Sequence, residues 1–368
     1  MKQVLKPAIW AFYLVIVFEI LFMISPFALY FYSAYGPMLN VLHRWPETAW
    51  LTKFFLPHFS QTDSLWLNAL PMLAWCLISV GLLLFLGAAV PLYWAKFRGR
   101  GTVSHGLYAV IRHPQYVGLA VMGLGTTLIW PRFLVLVAYV TMLCLYAVLA
   151  RWEEERCLAH YGESYRAYQA RTGMFLPPHL SKSLPGTRPA SGGQRGAAAL
   201  GLYAALLAAS VDLAFGVRDY SLSTISGLCT QDVAVLSPAL LTESDMNTAY
   251  RAAVADIRVQ DALRAIGPAK LLVYVVPIEW DLADLPMETS HRSGGHYTPA
   301  DFDRRHYKLL FTRIRTYIPE ATGREIVKAA YGRDPILLVK VDSAMAEVTG
   351  IDTPPPHVVW GDISTPMF

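Results

Sequence analysis

The sequence predicts an α-helical polytopic membrane protein of about five transmembrane helices, followed by a small α/β or α+β soluble C-terminal domain. Three observations carry this expectation. The chain is 54% hydrophobic and only 16% charged over 368 residues, too apolar for a purely soluble protein of that length. Five apolar runs approach the roughly 20 residues needed to cross a bilayer. After Val217 the composition turns to that of a globular domain.

The first run, about Pro7–Tyr32, carries a single charge, Glu19. It is too long for the apolar region of a signal peptide and lacks a small-residue cleavage site, so it reads as a retained anchor. The second run is about Leu65–Trp94. The third and fourth, about Val117–Trp130 and Phe133–Ala150, are separated only by Pro131 and Arg132, the punctuation of a tight helical hairpin. The fifth, Ala197–Val217, is built of small residues that supply little transfer energy each, with Asp212 near its outer end. Residues 1–180 therefore read as a membrane domain with four spans, 181–196 as a Ser-, Pro- and Gly-rich linker, and 197–217 as a fifth span.

Residues 218–368 read as the soluble domain. Asp245–Ala265 has helical periodicity behind Ser244 or Asp245 as a cap. Leu271–Ile278 and Pro335–Val341 are β-branched apolar runs, the pattern of buried strands. Thr298–Tyr317 reads as a helix opened by Thr298 and Pro299. No internal repeat is evident.

Lys and Arg accumulate on the cytoplasmic flank of spanning helices. Segments 1–6, 95–116 and 151–196 hold 13 of them, whereas the alternate loops hold only Arg44, Lys53 and Arg132. This puts the N-terminus, the second-to-third connection and the segment after the hairpin in the cytoplasm, and residues beyond Val217 on the other side. Residues 1–217 hold 16 basic and 8 acidic side chains, and residues 218–368 hold 15 and 19. The halves thus differ in sign, as a membrane part and a soluble part would. The expected setting is a bacterial inner membrane, with the lipid bilayer as partner and no nucleic acid.

Cys76 and Cys144 lie inside predicted spans, and Cys157 and Cys229 on separate segments, so neither a disulfide framework nor a Cys-based metal site is expected. His291 and His296 stand five apart in a Gly-containing loop near His306 without an accompanying carboxylate set, and read as a solvated loop rather than metal ligands. His43, Trp45 and Trp50 read as an interfacial belt.

Between the second and third runs lies Gly106-Leu-Tyr108-Ala-Val-Ile-Arg112-His113-Pro114-Gln115-Tyr116-Val117-Gly118. Arg, His and Tyr packed together at a membrane boundary are costly to desolvate unless something polar receives them. After the hairpin come Glu153-Glu154-Glu155-Arg156, then Tyr161-Gly162-Glu163-Ser164-Tyr165-Arg166-Ala167-Tyr168, Arg171 and Phe175-Leu176-Pro177. The hairpin returns these carboxylates to the membrane face that holds Arg112, where they can complete a polar pocket.

The ordered set Gly-x-Tyr-x-x-x-Arg-His-Pro-x-Tyr-x-Gly, apolar hairpin, Glu-Glu, Tyr-x-x-Tyr and Leu-Pro resembles the isoprenylcysteine carboxyl methyltransferase and phospholipid methyltransferase superfamily. It covers Gly106–Pro177, one fifth of the chain. The resemblance implies a cytoplasm-facing pocket for S-adenosylmethionine and an acceptor entering from lipid. It implies a cofactor-binding set of Arg112, His113, Tyr116, Gly118, Glu153 and Glu154, with Gly118 at a close helix approach, and makes His113 and, on the acceptor side, Arg171 the catalytic candidates. Tyr165 and Tyr168 fit packing as well as binding.

The chemistry of that cofactor suggests roles. Glu154, with Glu153 as alternate, would accept hydrogen bonds from its hydroxyl or ammonium groups. Arg112 would pair with its carboxylate in bidentate fashion. His113 is either a hydrogen-bond donor or a base.

The leading expectation is methyl transfer to a lipophilic or small acceptor bearing a carboxylate, thiol or amine. The large C-terminal domain departs from the prenylcysteine enzymes and leaves the acceptor open. Two other readings are a sterol-reductase-like membrane enzyme, which the intact Arg-His-Pro and Glu-Glu set disfavours, and a non-catalytic anchor. The C-terminal domain offers no catalytic constellation; placed externally, it would present an acceptor or dock an envelope protein.

Overall fold

The computed structural model describes residues 39–58, 61–98, 103–181, 192–280 and 302–354. The expected first span, Pro7–Tyr32, lies outside them. The chain divides into two compact units, one of Ala69–Trp130 with Val135–Leu213, the other of Met1–Asn68, Pro131–Leu134 and Ala214–Phe368.

The first unit is helical. Helix α1 spans Leu65–Phe97, α2 Pro114–Ile129, α3 Phe133–Tyr161, α4 Glu163–Arg171 and α5 Gly192–Ser223. Three of them, α1, α3 and α5, contain stretches long and apolar enough to cross a membrane, Leu65–Ala95, Phe133–Tyr161 and Gly196–Ser223. Helix α2 forms where the third span was expected but has only 16 residues, about 24 Å at 1.5 Å per residue, short of the ~30 Å hydrocarbon core. Of the four expected spans that fall among the described residues, three are thus helices of spanning length.

Apolar side chains on α1 and α5 such as Leu83, Val90, Leu202 and Leu213 stay exposed, as a lipid-facing surface requires. Contacts between helices are made through small residues. A Cβ at Gly118 would lie 2.5 Å from the Phe85 backbone nitrogen and 2.9 Å from the Gly81 carbonyl oxygen, and one at Gly125 would lie 2.6 Å from the Ala74 carbonyl oxygen. Glycine at these positions lets α1 and α2 cross backbone to backbone. Tyr139 on α3 donates to the Ala120 carbonyl on α2 at 2.9 Å, and Thr141 on α3 bonds Tyr203 on α5 at 2.9 Å.

The second unit is built on a six-stranded sheet in the order β1-β2-β3-β4-β5-β6. The strands are β1 Gly227–Cys229, β2 Val233–Leu236, β3 Leu271–Pro277, β4 His306–Thr316, β5 Ala330–Asp342 and β6 Glu347–Asp352. Only β2 and β3 pair in parallel; the other neighbours are antiparallel. Helices α6, Glu243–Ala255, and α7, Ile257–Ile266, make the crossover between the parallel pair. A further short helix, α8, spans Glu325–Ala329.

Alternation along the strands sorts the core into two faces. Val273, Phe311 and Leu337 align across β3, β4 and β5, and pack with Met246, Ala249 and Ala253 of α6. Tyr274, Leu310 and Leu338 align on the other face, and pack with Ile326 of α8 and with Ile225. The strands read as continuous apolar runs because both faces are covered. This makes the domain α+β, one of the two expected classes.

Two expectations are corrected. Residues 306–316 of the expected helix Thr298–Tyr317 form strand β4. Burial on both faces erases the period-2 signal, and the polar Lys308 and Thr312 are accommodated inside by bonds to the Trp280 and Leu272 carbonyls. The expected helix Asp245–Ala265 is two helices: Asp256 is extended at φ −71°, ψ 127° and accepts from Arg258 N to cap the second. Apolar periodicity runs across the break and hides it. The expected strand Pro335–Val341 lies inside β5, with a register shift that leaves Ile336 without a partner opposite Phe311 and Thr312. Such a bulge is where a strand tolerates proline.

Candidate functional site

Within the helical unit the segment before α2 and the segment after α4 run side by side. Arg112 N donates to the Gly173 carbonyl at 2.8 Å, His113 N to the Met174 carbonyl at 3.1 Å, and Gly173 N to the Val110 carbonyl at 3.2 Å. Only glycine fits at 173, because a Cβ there would run into the Leu176 carbonyl. Tyr168 on α4 donates to the Tyr108 carbonyl at 2.7 Å, and the Tyr108 hydroxyl donates to Gln115 at 2.9 Å. The two halves of the motif are therefore joined through their backbones before any functional side chain is considered.

This clamp presents Arg112 and His113 to the cytoplasmic end expected for α3. Arg112 Nε donates to Glu154 Oε1 at 2.6 Å, the two side chains being 11% and 10% exposed. Its Nη1 donates to the Gln169 carbonyl at 3.2 Å and to the Thr172 carbonyl. Gln169 Nε2 donates to the second oxygen of Glu154 at 2.8 Å. His113 sits between two carboxylates, with Nε2 3.3 Å from Glu154 and Nδ1 3.4 Å from Glu153. Tyr116 donates to Glu153 at 2.7 Å.

The rings of His113 and Tyr116 stack at 5.6 Å, and Tyr116 stacks on Tyr146 at 5.0 Å. Phe175 closes on His113 at 5.9 Å. Burial alone would lower the His113 pKa, but the hydrogen bonds and charges of Glu153 and Glu154 outweigh it and hold the imidazole above its ordinary value. Each ring nitrogen faces an acceptor, so the arrangement favours a proton on both.

Five of the expected residues are thus brought together: Arg112, His113, Tyr116, Glu153 and Glu154. Gly118 lies outside this network, at the α1–α2 crossing described above. Arg171 is exposed, its guanidinium 5.8 Å from the Tyr168 ring centroid. Glu154 is buried, whereas the Glu153 side chain is 46% exposed. The residues that sequence reasoning missed are Gln169 and Thr172, which tie Glu154 and Arg112 to α4. The spacing of Gln169 from Tyr165, at i+4, was the available signal for a shared helix face; Thr172, extended just past the end of α4, gave none.

Among the described residues, no group of three or more His, Cys, Asp or Glu side chains is arranged to hold a metal ion. His291 and His296 lie outside those residues, while His306 bonds Asp303 at 2.6 Å.

Comparison with known proteins adds a second line of support. Residues 72–164 match the family model for phospholipid methyltransferase. The resemblance to the isoprenylcysteine carboxyl methyltransferase and phospholipid methyltransferase superfamily is shown for this stretch. The methyltransferase-like segment is 34% identical over 84 residues to a protein-S-isoprenylcysteine O-methyltransferase of Tribolium castaneum, covering 20% of this chain and 27% of that protein. It is 29% identical over 76 residues to a protein of the same name from Schizosaccharomyces pombe, covering 20% and 32%. The chain thus spans about a third or less of the length of these relatives. No solved structure matches it.

Proposed function

We propose that the methyltransferase-like segment binds S-adenosylmethionine at the cytoplasmic membrane face and transfers its methyl group to a lipophilic or small acceptor. The observation that carries this reading is the single network joining Arg112, His113 and Tyr116 to Glu153 and Glu154. Both halves of the motif contribute, and neither makes the network alone.

The donor set suits such a ligand. Glu153 is the carboxylate open to an incoming hydroxyl or ammonium group, so the acceptor role expected of Glu154 passes to Glu153. Arg112 already uses Nε and Nη1 inside the protein, which replaces the expected bidentate pairing with a positioning role: it fixes Glu154, and Glu154 fixes His113. When bound, S-adenosylmethionine supplies an electrophilic methyl group for in-line displacement. The chain's contribution is then orientation and exclusion of water. His113, donating from both nitrogens, orients Glu153 and is not free to act as a base.

That assignment narrows the acceptor. A carboxylate or thiolate arrives ready to attack, whereas an ammonium group must first lose a proton. A site whose buried imidazole faces a carboxylate from each ring nitrogen favours the anionic acceptors over an amine. Arg171, exposed near Tyr168, remains the proposed contact on the acceptor side.

The test is incubation of detergent-solubilised protein with methyl-labelled S-adenosylmethionine and a total lipid extract. Label in an acidic lipid or thiol fraction is expected. Label confined to amine headgroups would overturn the acceptor assignment, and no binding of the methyl donor would overturn the function. We further propose that the sheet domain lies on the opposite side of an inner membrane, where it meets an acceptor or an envelope partner. Cys229 is exposed, so labelling by a membrane-impermeant thiol reagent in intact cells is expected; labelling only after lysis would discard this sidedness.

A further inference from the structure

The unit that contains the sheet holds a cluster of cations that its described carboxylates do not balance. Arg218, on the last turns of α5, is 7% exposed, and its Nε is buried without a hydrogen-bond partner. No ion pair or hydrogen bond engages its guanidinium among the described residues. Its neighbour Asp219 is turned to Lys328 at 3.4 Å. Lys53 stands beside Arg218 with its ammonium 4.9 Å from the Tyr317 ring centroid and, among the described residues, no carboxylate within ion-pair distance.

The surroundings add positive charge. Arg315 reaches His43 at 3.3 Å and Asp334 at 3.6 Å, and its Nε is also buried without a partner. Arg333 donates to the Tyr274 hydroxyl. His43 feels Arg315, Lys53 and Arg333 together, and with burial as the larger cause its pKa falls to about 4. Burial and the charge of Arg218 likewise pull Lys53 down to about 7. The carboxylate among them, Asp334, is engaged by Arg313 and Arg315, each at 3.6 Å; Glu47, which lies near Tyr317, is exposed.

Buried charges persist when they are paired. The rings of Tyr317, Tyr331 and Tyr274 face Lys53, Arg315 and Arg333, and such contacts offset only part of the desolvation cost. Arg218 has not even that. An unpartnered guanidinium, a neighbouring unpartnered ammonium and two tyrosines within electrostatic reach are the parts of a site for a multiply charged oxyanion.

We propose that Lys53 and Arg218 form a phosphate-binding site, with Arg315 and Arg333 supplying the surrounding positive potential. The ligand class is a phosphate monoester or diester. Arg218 stands near the end of the spanning-length stretch Gly196–Ser223, so the phosphate can belong to an anionic lipid or to a free phosphate compound. The site is separate from the methyltransferase network and does not rest on that reading.

The experiment uses the full chain in a phosphate-free neutral detergent. Inorganic phosphate is titrated calorimetrically at constant ionic strength, and in a second arm the protein is placed in nanodiscs of phosphatidylcholine with or without phosphatidylglycerol and analysed by native mass spectrometry. Saturable phosphate binding that weakens at least tenfold in both Arg218→Gln and Lys53→Gln indicates a free phosphate ligand. Retention of phosphatidylglycerol by the wild type and its loss from both variants, without phosphate binding, indicates a lipid. Removing an unpaired cation should also leave the melting temperature of each variant unchanged or higher when no anion is present. The proposal is overturned if neither probe binds, if binding survives both substitutions, or if both variants melt lower by the same amount with and without anion.

Discussion

Replacing Arg112 with Ala strands Glu154, a carboxylate whose side chain is 10% exposed and whose strongest bond is the 2.6 Å contact to the guanidinium. Removing one partner of a buried ion pair costs about 3–5 kcal/mol. Glu154 keeps Gln169 at 2.8 Å and His113 at 3.3 Å, so the lower end applies, about 3 kcal/mol, or on the order of 100-fold in the folding equilibrium. At roughly 2–4 °C per kcal/mol for a unit of this size, the melting temperature should fall by about 6–12 °C. The Arg112→Met/Glu154→Met double variant removes both charges and should recover most of that loss, since neither buried group is then left alone. The assay is thermal unfolding in detergent by tryptophan fluorescence, with calorimetric titration of S-adenosylmethionine. Arg112→Ala and Glu154→Ala should both abolish binding. An unchanged melting temperature with binding lost would refute the positioning role and put Arg112 on the ligand itself, and near-wild-type affinity would sink the site.

Other substitutions test other links. Gly118→Leu drives a side chain into the Phe85 backbone at the α1–α2 crossing and should destabilise by about 1–3 kcal/mol or more, whereas Gly87→Ala, whose Cβ would lie 3.6 Å from Leu107, should be nearly neutral in the same melt. His113 has a folded pKa raised above 6.5, so its contribution to stability is complete below pH 6.5 and is lost as pH rises through the raised value; the melting temperature of His113→Asn should show a flatter pH profile over that window. Thr242 accepts from Asp245 N at 3.1 Å at the start of α6, and Thr242→Ala should cost about 1 kcal/mol by chemical denaturation. Tyr116→Phe keeps the aromatic stack but leaves Glu153 with His113 alone, and should weaken donor binding more than it lowers the melting temperature.

Much of the membrane part was legible because bilayer thickness imposes a length and a polarity that a linear reading detects. The hairpin at Pro131 and Arg132, the long helices α1 and α3, and the meeting of Arg112 with Glu154 all follow from runs, breaks and charge bias. Strand β4 was misread because a strand covered on both faces loses its alternation. The break at Asp256 was missed because one extended residue capped by its own side chain does not disturb apolar spacing.

The sequence by itself determined which residue types gather at the candidate site, since a motif fixes chemistry and order. Only the tertiary structure decided their division of labour. Arg112 turns inward to Glu154, Glu153 stays open, Gly118 serves a helix crossing and Arg171 stands apart, because burial and donor geometry depend on what folds back against a residue from 40 to 60 positions away. The unpaired cations at Lys53 and Arg218 are the extreme case. They lie 165 positions apart, and nothing in either local sequence announces that the fold places them side by side.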